Sequence, residues 1–171
     1  MNTDGRLPAG FFIRDVLDVA PDLIGKIIVI RRQDGVIQSY MITETEAYRG
    51  FEDKACHASR GETPRNRVMF GNGGKIYVYF IYGMYWMLNF VAGTEGIPQA
   101  VLIRGIEGYD GPGKLTRALG IDRSFYGEDL STSDRIWVED RGLQPSCRTG
   151  PRIGVEYAGD YWKNKPWRYF I

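Results

Sequence analysis

Histidine occurs once in this sequence, at His57, and cysteine twice, at Cys56 and Cys147, far apart and outside any CxxC spacing. That scarcity excludes a disulfide framework, a conventional zinc site and an iron–sulfur cluster, so neither a metal nor another cofactor is expected. Long apolar runs are missing too: none approaches the roughly 20 residues that a bilayer-spanning helix needs. The opening "MNTDGRLPAGFF" lacks the basic and apolar regions of a secretory signal. An intracellular, reduced protein with no membrane partner is the expectation, in the cytoplasm or nucleoid if the source is bacterial. Charge of one sign is equally scarce, with 22 basic against 21 acidic residues, so no global basic field advertises a polyanionic partner. No repeat, linker or low-complexity tract interrupts the chain, and residues 1–171 are read as one domain.

What is present is ordinary in amount and uneven in distribution. A 43% hydrophobic content is enough to bury a real core at this length. Residues 141–171 carry six basic side chains against two acidic, and residues 122–140 carry six acidic against two basic. This asymmetry permits a one-sided basic face, although two solvated surfaces would look the same. Val16, Leu17, Ala20, Leu23 and Ile24 recur at helical spacing, with Pro21 placed to restart a second short helix and Gly25 to end it. "KIIVIRR", the turn-forming Asp34-Gly35 and "VIQSYMITETEAY" predict a hairpin with a long second strand. Residues 49–74 read as an extended loop, which at that length is functional or disordered. "KIYVYFIYGMYWMLNF" and "QAVLIRGIEGY" predict further strands and "GKLTRALG" a short helix. "RIGVEYAG" and "KPWRYFI" read as closing strands or extended segments. The sum is an α+β fold: one mixed domain around a mainly antiparallel, curved sheet, with a protruding hairpin and short peripheral helices.

Several short stretches carry possible chemistry. In "TETEAY" a period-2 strand puts Glu44, Glu46 and Tyr48 on one face, with the carboxylates about 7 Å apart. Such a pair suits acid/base work at an acetal-like carbon, but a polar strand edge would alternate in the same way. Cys56 and His57 are adjacent, which in an extended segment points them apart and argues against a thiol–imidazole dyad. "GYDGPGKL" nearly spells a phosphate loop, yet Leu115 stands where a magnesium-binding hydroxyl is required. "TPRNR" offers Arg65, Asn66 and Arg67 as phosphate ligands in a flexible loop, a composition common on surfaces generally. Around Gly83, Tyr77, Tyr79 and Ile81 share one strand face and Val78, Phe80 and Tyr82 the other. A bulky ring at a hairpin tip stands exposed unless it enters something, as wedges in DNA-distorting proteins do.

Taken in order, "ETEAY", "TPRN", "MFG", "YVYFIYGMY" with its following Asn, "GPGKL", "PRIGV" and "KPWRYFI" resemble the alkyladenine (3-methyladenine) DNA glycosylase family from "LIGK" to the C-terminus. The resemblance implies a monofunctional, cofactor-free enzyme. It would act as a monomer on double-stranded DNA containing damaged purines, approached from the minor groove. Such an enzyme flips an alkylated or deaminated purine out of the duplex and hydrolyses its N-glycosidic bond. By matching motif positions, Glu46 would be the general base and Arg104 would help hold the attacking water. Tyr48, His57 and Tyr79 would line the base pocket, and Asn89 would crowd the exocyclic amine of normal guanine. Tyr82 would be the wedge, and Arg65 with Asn66 would meet the DNA backbone. Glu44 receives no role. Trp86 and Met87 depart from the smaller or cysteine-containing residues common at these positions, and residues 120–140 match too loosely to carry one. A carbohydrate hydrolase built on Glu44 and Glu46, and a non-catalytic DNA-bending module built on Tyr82 and the arginines, are the competing readings.

Overall fold

The computed structural model describes residues 5–171. Its frame is a nine-stranded antiparallel sheet with β2 (Ile37–Arg49) as the spine. The first part of β2 pairs with β1 (Ile27–Arg31), from Ile37↔Arg31 to Met41↔Ile27. Beyond a register irregularity around Thr43 and Glu44, the same edge takes up β9 (Arg168–Phe170), while the opposite edge pairs with β5 (Gln99–Ile106). Outward from β5 lie β4 (Tyr85–Ala92) and β3 (Ile76–Ile81), and β7 (Ile136–Glu139) closes the far edge against β1. Two short strands, β6 (Tyr109–Asp110) and β8 (Arg148–Gly150), extend β5 and β9.

The alternation of β3, β4 and β5 gives this sheet two different faces. Val78, Leu88, Phe90, Val101 and Ile103 point into the main apolar core with Phe12, Val16, Val19 and Leu115. Each such side chain contributes about 1.5–3 kcal/mol on burial. Their neighbours Tyr77, Val91 and Ala100 form a second, aromatic-rich cluster on the other face, joined by Cys56, Ala58 and Met69. The core face is covered by α2 (Val16–Asp22) and α3 (Pro112–Leu119), and a single turn, α1 (Ala9–Phe12), precedes α2. Helix α2 is capped by Asp15, whose carboxylate accepts from Leu17 N–H at 2.9 Å. It runs through Pro21 instead of restarting there: the proline lies in the last turn, and Leu23 N–H still reaches the Val19 carbonyl at 3.0 Å.

Two further expectations change. The β3–β4 turn spans Tyr82–Met84, and Tyr82 is the one non-glycine among the described residues with positive φ, at 52°. That left-handed residue breaks the strand alternation, so Tyr82 leaves the Val78–Phe80 face and comes to the opposite side. "RIGVEYAG" is no strand: residues 151–155 are irregular and Glu156–Ala158 form a 3-10 turn, because the Arg152 side chain plunges inward to a buried carboxylate. A last short helix, α4 (Asp160–Lys163), precedes β9. The one-sided basic face is also largely spent. Arg152 is buried, Arg168 turns in to Glu44, and Arg141 and Lys163 pair with Glu139 and Asp160. The acidic segment is stitched to the body by Asp129–Lys75 and Asp140–Lys26, and Glu128–Arg135 closes within it. Among the described residues no helix is long and apolar enough to cross a membrane.

Candidate active site

A cavity of about 360 Å³ opens on the aromatic face of the sheet. Its floor follows the period-2 pattern of three adjacent strands: Tyr77, Tyr79 and Ile81 of β3, Met87 and Asn89 of β4, and Ala100, Leu102 and Arg104 of β5. Tyr48 of β2 joins them. The walls are two loops, one carrying Cys56 and His57, the other Ile153, Gly154, Val155 and Tyr157. Tyr82 stands at the rim, 86% exposed. Tyr77 and Tyr79 thus face a hole, and Tyr82 faces solvent beside it.

Glu46 lies directly behind this cavity and does not itself line it. Its side chain is fully buried: Oε2 accepts from the Tyr48 hydroxyl at 2.8 Å and Oε1 from Ile153 N–H at 2.8 Å. The Arg104 Nε stands 3.8 Å from Oε1. Burial raises the Glu46 carboxyl above the usual range, against the opposing pull of Arg104, Ile153 N–H and the Tyr48 hydroxyl. Burial likewise pushes the Tyr48 and Tyr79 phenols upward, so both remain neutral donors.

His57 is held by its neighbours. Nδ1 lies 2.9 Å from the Tyr77 hydroxyl, and the ring meets that of Tyr79 edge-on at 4.6 Å between centres. Desolvation against these rings, with the Arg65 charge nearby, draws the imidazole down to about 4, so it is neutral at physiological pH. A neutral, aromatic wall does not repel a cationic base. Cys56 beside it is buried, and its thiol is pushed up to about 12, which leaves no thiolate for nucleophilic work. Asn89 is 3% exposed; its Nδ2 donates to the Tyr77 carbonyl at 3.2 Å, which fixes the amide at the cavity floor. Trp86 packs on the other face of the hairpin, 4.9 Å from Phe80, whereas Met87 lines the cavity.

Seven residues singled out from sequence therefore converge here: Glu46, Tyr48, His57, Tyr79, Tyr82, Asn89 and Arg104. The "TPRNR" loop divides. Arg65 is exposed and carries its guanidinium 4.8 Å from the ring centre of Tyr79, which lines the cavity. Asn66, expected at the DNA backbone, is 2% exposed. Its Oδ1 accepts from Thr63 N–H at 2.7 Å, and Nδ2 donates to the Gly61 and His57 carbonyls at 3.1 and 3.2 Å. That side chain satisfies the loop's own backbone groups and has no polar end left for a phosphate.

The arrangement also depends on residues to which sequence reasoning gave no role. Arg152 and Asp53 form a fully buried ion pair, with Nη1–Oδ2 at 2.5 Å and Nη2–Oδ1 at 2.9 Å, while Nη1 also donates to the Ala47 carbonyl. The guanidinium lies between the Tyr48 and Trp167 rings, 4.8 and 5.0 Å from their centres. Asp53 in turn accepts from the Arg49 and Ala55 N–H groups. One buried pair thus fastens both wall loops to β2 and presents Ile153 N–H to Glu46. Tyr157, a third unassigned residue, donates its hydroxyl to the Ala55 carbonyl at 2.8 Å and so joins the two walls.

The sequence that builds this site is similar to that of known proteins. A family model described as methylpurine-DNA glycosylase matches residues 10–111 and 108–171. A protein of Methanocella arvoryzae, provisionally named 3-methyladenine DNA glycosylase, is 45% identical over 96% of this chain and 91% of its own. One from Rickettsia felis with the same provisional name is 44% identical over 96% and 92%. Another from Anaeromyxobacter dehalogenans is 46% identical over 97% and 82%. With the family model covering nearly all of it and such relatives along its length, the chain belongs to the methylpurine-DNA glycosylase family.

Proposed function

We propose that this protein flips an alkylated or deaminated purine out of duplex DNA from the minor-groove side and hydrolyses its N-glycosidic bond, leaving an abasic site. The observation that carries this reading is an aromatic cavity with a buried, hydrogen-bonded carboxylate behind it and the exposed Tyr82 ring of a hairpin tip at its rim. Flipping costs a few kcal/mol of lost stacking. Tyr82, on the turn of the β3–β4 hairpin, fills the vacated space, and the extruded base enters between Tyr48, His57 and Tyr79. Alkylation leaves many such purines positively charged, which strengthens their stacking on electron-rich rings and makes them better leaving groups.

Hydrolysis then needs an oriented water. Arg104 holds the water, Glu46 takes its proton as the oxygen attacks the anomeric carbon, and the electrons of the breaking C–N bond leave with the base. No lysine stands among the residues that line the cavity, which supports a monofunctional reaction without a Schiff-base intermediate. One chain supplies every group invoked, so residues 1–171 act as a single glycosylase domain and a monomer suffices. Incubation with methylated duplex DNA, followed by identification of released bases, tests the reading: free methylpurines are expected, and borohydride is expected to trap no protein–DNA adduct. Absence of base release would overturn it.

Two substitutions probe the pocket. Tyr82→Gly places a residue free to adopt positive φ where a tyrosine now sits at 52° with 86% exposure, so thermal stability should not fall. The flipped fraction, read by base-analogue fluorescence in a lesion duplex, should drop sharply; an unchanged signal would remove Tyr82 from the wedge role. Asn89→Ser opens space at the cavity floor, where the Asn89 amide would meet the exocyclic amine of guanine. Excision of guanine-like bases should rise relative to hypoxanthine, which lacks that amine. An unchanged ratio would place discrimination elsewhere.

A further inference from the structure

Glu44, the second carboxylate of "TETEAY", is not idle. Its Oε1 lies 2.9 Å from Arg168 Nη1 and 3.4 Å from Arg104 Nε, with 13% of its side chain exposed. Arg104 stands farther, 3.8 Å, from Glu46. The order Arg168, Glu44, Arg104, Glu46 is a file of alternating charges drawn from β9, β2 and β5, mostly shielded from water, where such attractions are strong.

The sheet is shaped to allow this. Strands β2 and β5 slip register on either side of Glu44, which pairs with Gly105, and irregularities of this kind re-aim side chains. At Gly105 a Cβ would meet Thr43 Oγ1 at 2.9 Å and Glu44 Cβ at 3.1 Å. Only a glycine lets Glu44 sit so near the residue that follows Arg104.

We infer that Glu44 is a positioning residue that draws the Arg104 guanidinium to its own side, so that the Glu46 carboxylate remains open to a water. The inference rests on Glu46 being the base. A carboxylate offers about four lone-pair sites, and Tyr48 and Ile153 already occupy one on each Glu46 oxygen. Without Glu44, Arg104 is left with Glu46 as its nearest carboxylate and closes onto it in a paired geometry, which fills the remaining sites and quenches the base.

The groups facing Glu46 are Arg104 from β5, Glu44 and Tyr48 from its own strand and Arg152 from the 151–155 loop; Tyr79 of β3 and Tyr157 lie at longer range. Of these, Glu44 holds Glu46 up and Arg104 holds it down. Removing the Glu44 charge therefore acts in one direction through both.

The test is the pH–rate profile of single-turnover excision from a methylated duplex. Glu44→Gln should lower excision at neutral pH, by less than the roughly 10²–10⁴-fold that loss of the base itself costs, and move the acid limb to lower pH. Gly105→Ala, which keeps the carboxylate but pushes it off by a few tenths of an ångström, should shift the limb the same way by less and decides the matter if Glu44→Gln does not fold. A merely structural role would lower the rate and leave the acid limb where the wild type has it; that result overturns the inference. Glu46→Gln is run alongside. Full activity there defeats the base assignment itself, whereas an inactive Glu46→Gln beside an unmoved limb in the other variants defeats only the role of Glu44.

Discussion

Glu46→Gln is expected to lower excision by about 10²–10⁴-fold, the usual contribution of general-base assistance, while lesion binding survives. The amide has nearly the same size; its carbonyl oxygen can accept from Ile153 N–H while its NH2 group donates to the Tyr48 hydroxyl, but it cannot take a proton from water. The side chain is fully buried and held at 2.8 Å on each oxygen, so the substitution tests chemistry more than architecture. Single-turnover excision and equilibrium binding to the same lesion duplex separate the two effects. A fully active variant would end the assignment.

The wild-type pH dependence follows from the same burial. A base works in its ionised form, so activity is present above its pKa and lost as pH falls through it. Because burial raises Glu46, the acid limb should lie above that of an ordinary glutamate, about 4.3. His57, drawn down to about 4, stays neutral until the pH is lower still. The first loss on acidification is therefore expected to belong to Glu46.

Arg152→Met is expected to be the most destabilising single change, by about 3–5 kcal/mol, since it strands the buried Asp53 carboxylate without its counter-charge. Both side chains are 0% exposed. The loss extends to function: with the pair gone, the loop that presents Ile153 N–H to Glu46 is no longer tied to Asp53 and the Ala47 carbonyl. Denaturant unfolding of Arg152→Met, and of the double variant with Asp53→Asn, checks the cause. The neutral amide removes the stranded charge, so the double variant should recover part of the stability. Equal stability of the single variant and wild type would show the pair to be dispensable.

Much of this was legible along the chain because it is local. Alternation in "YVYFIYG" announced a two-faced strand, "QAVLIRGIEGY" a further strand, Asp34-Gly35 the first hairpin, and "GKLTRALG" α3. Each follows from side-chain period and turn chemistry within a few residues. The candidate site came from ordered motifs, and seven of its residues do gather at one cavity. The reading failed where a residue's role depends on distant partners. Asn66 looks like a surface amide until its loop closes around it, and "RIGVEYAG" looks like a strand or extended segment until Arg152 finds Asp53, 99 positions away, and a 3-10 turn follows.

The sequence by itself thus determined the strand faces, the short helices and the chemical inventory of the pocket, because residue type and spacing act over one turn or one pleat. Only the tertiary structure decided the side of the sheet to which Tyr82 turns, the burial of Glu46 and the partners of Glu44 and Arg104. Those depend on a left-handed backbone at a hairpin tip, a register slip beside Gly105, and a buried charge pair joining two loops. Each is a compromise between local preference and the need to satisfy buried polar groups across the fold.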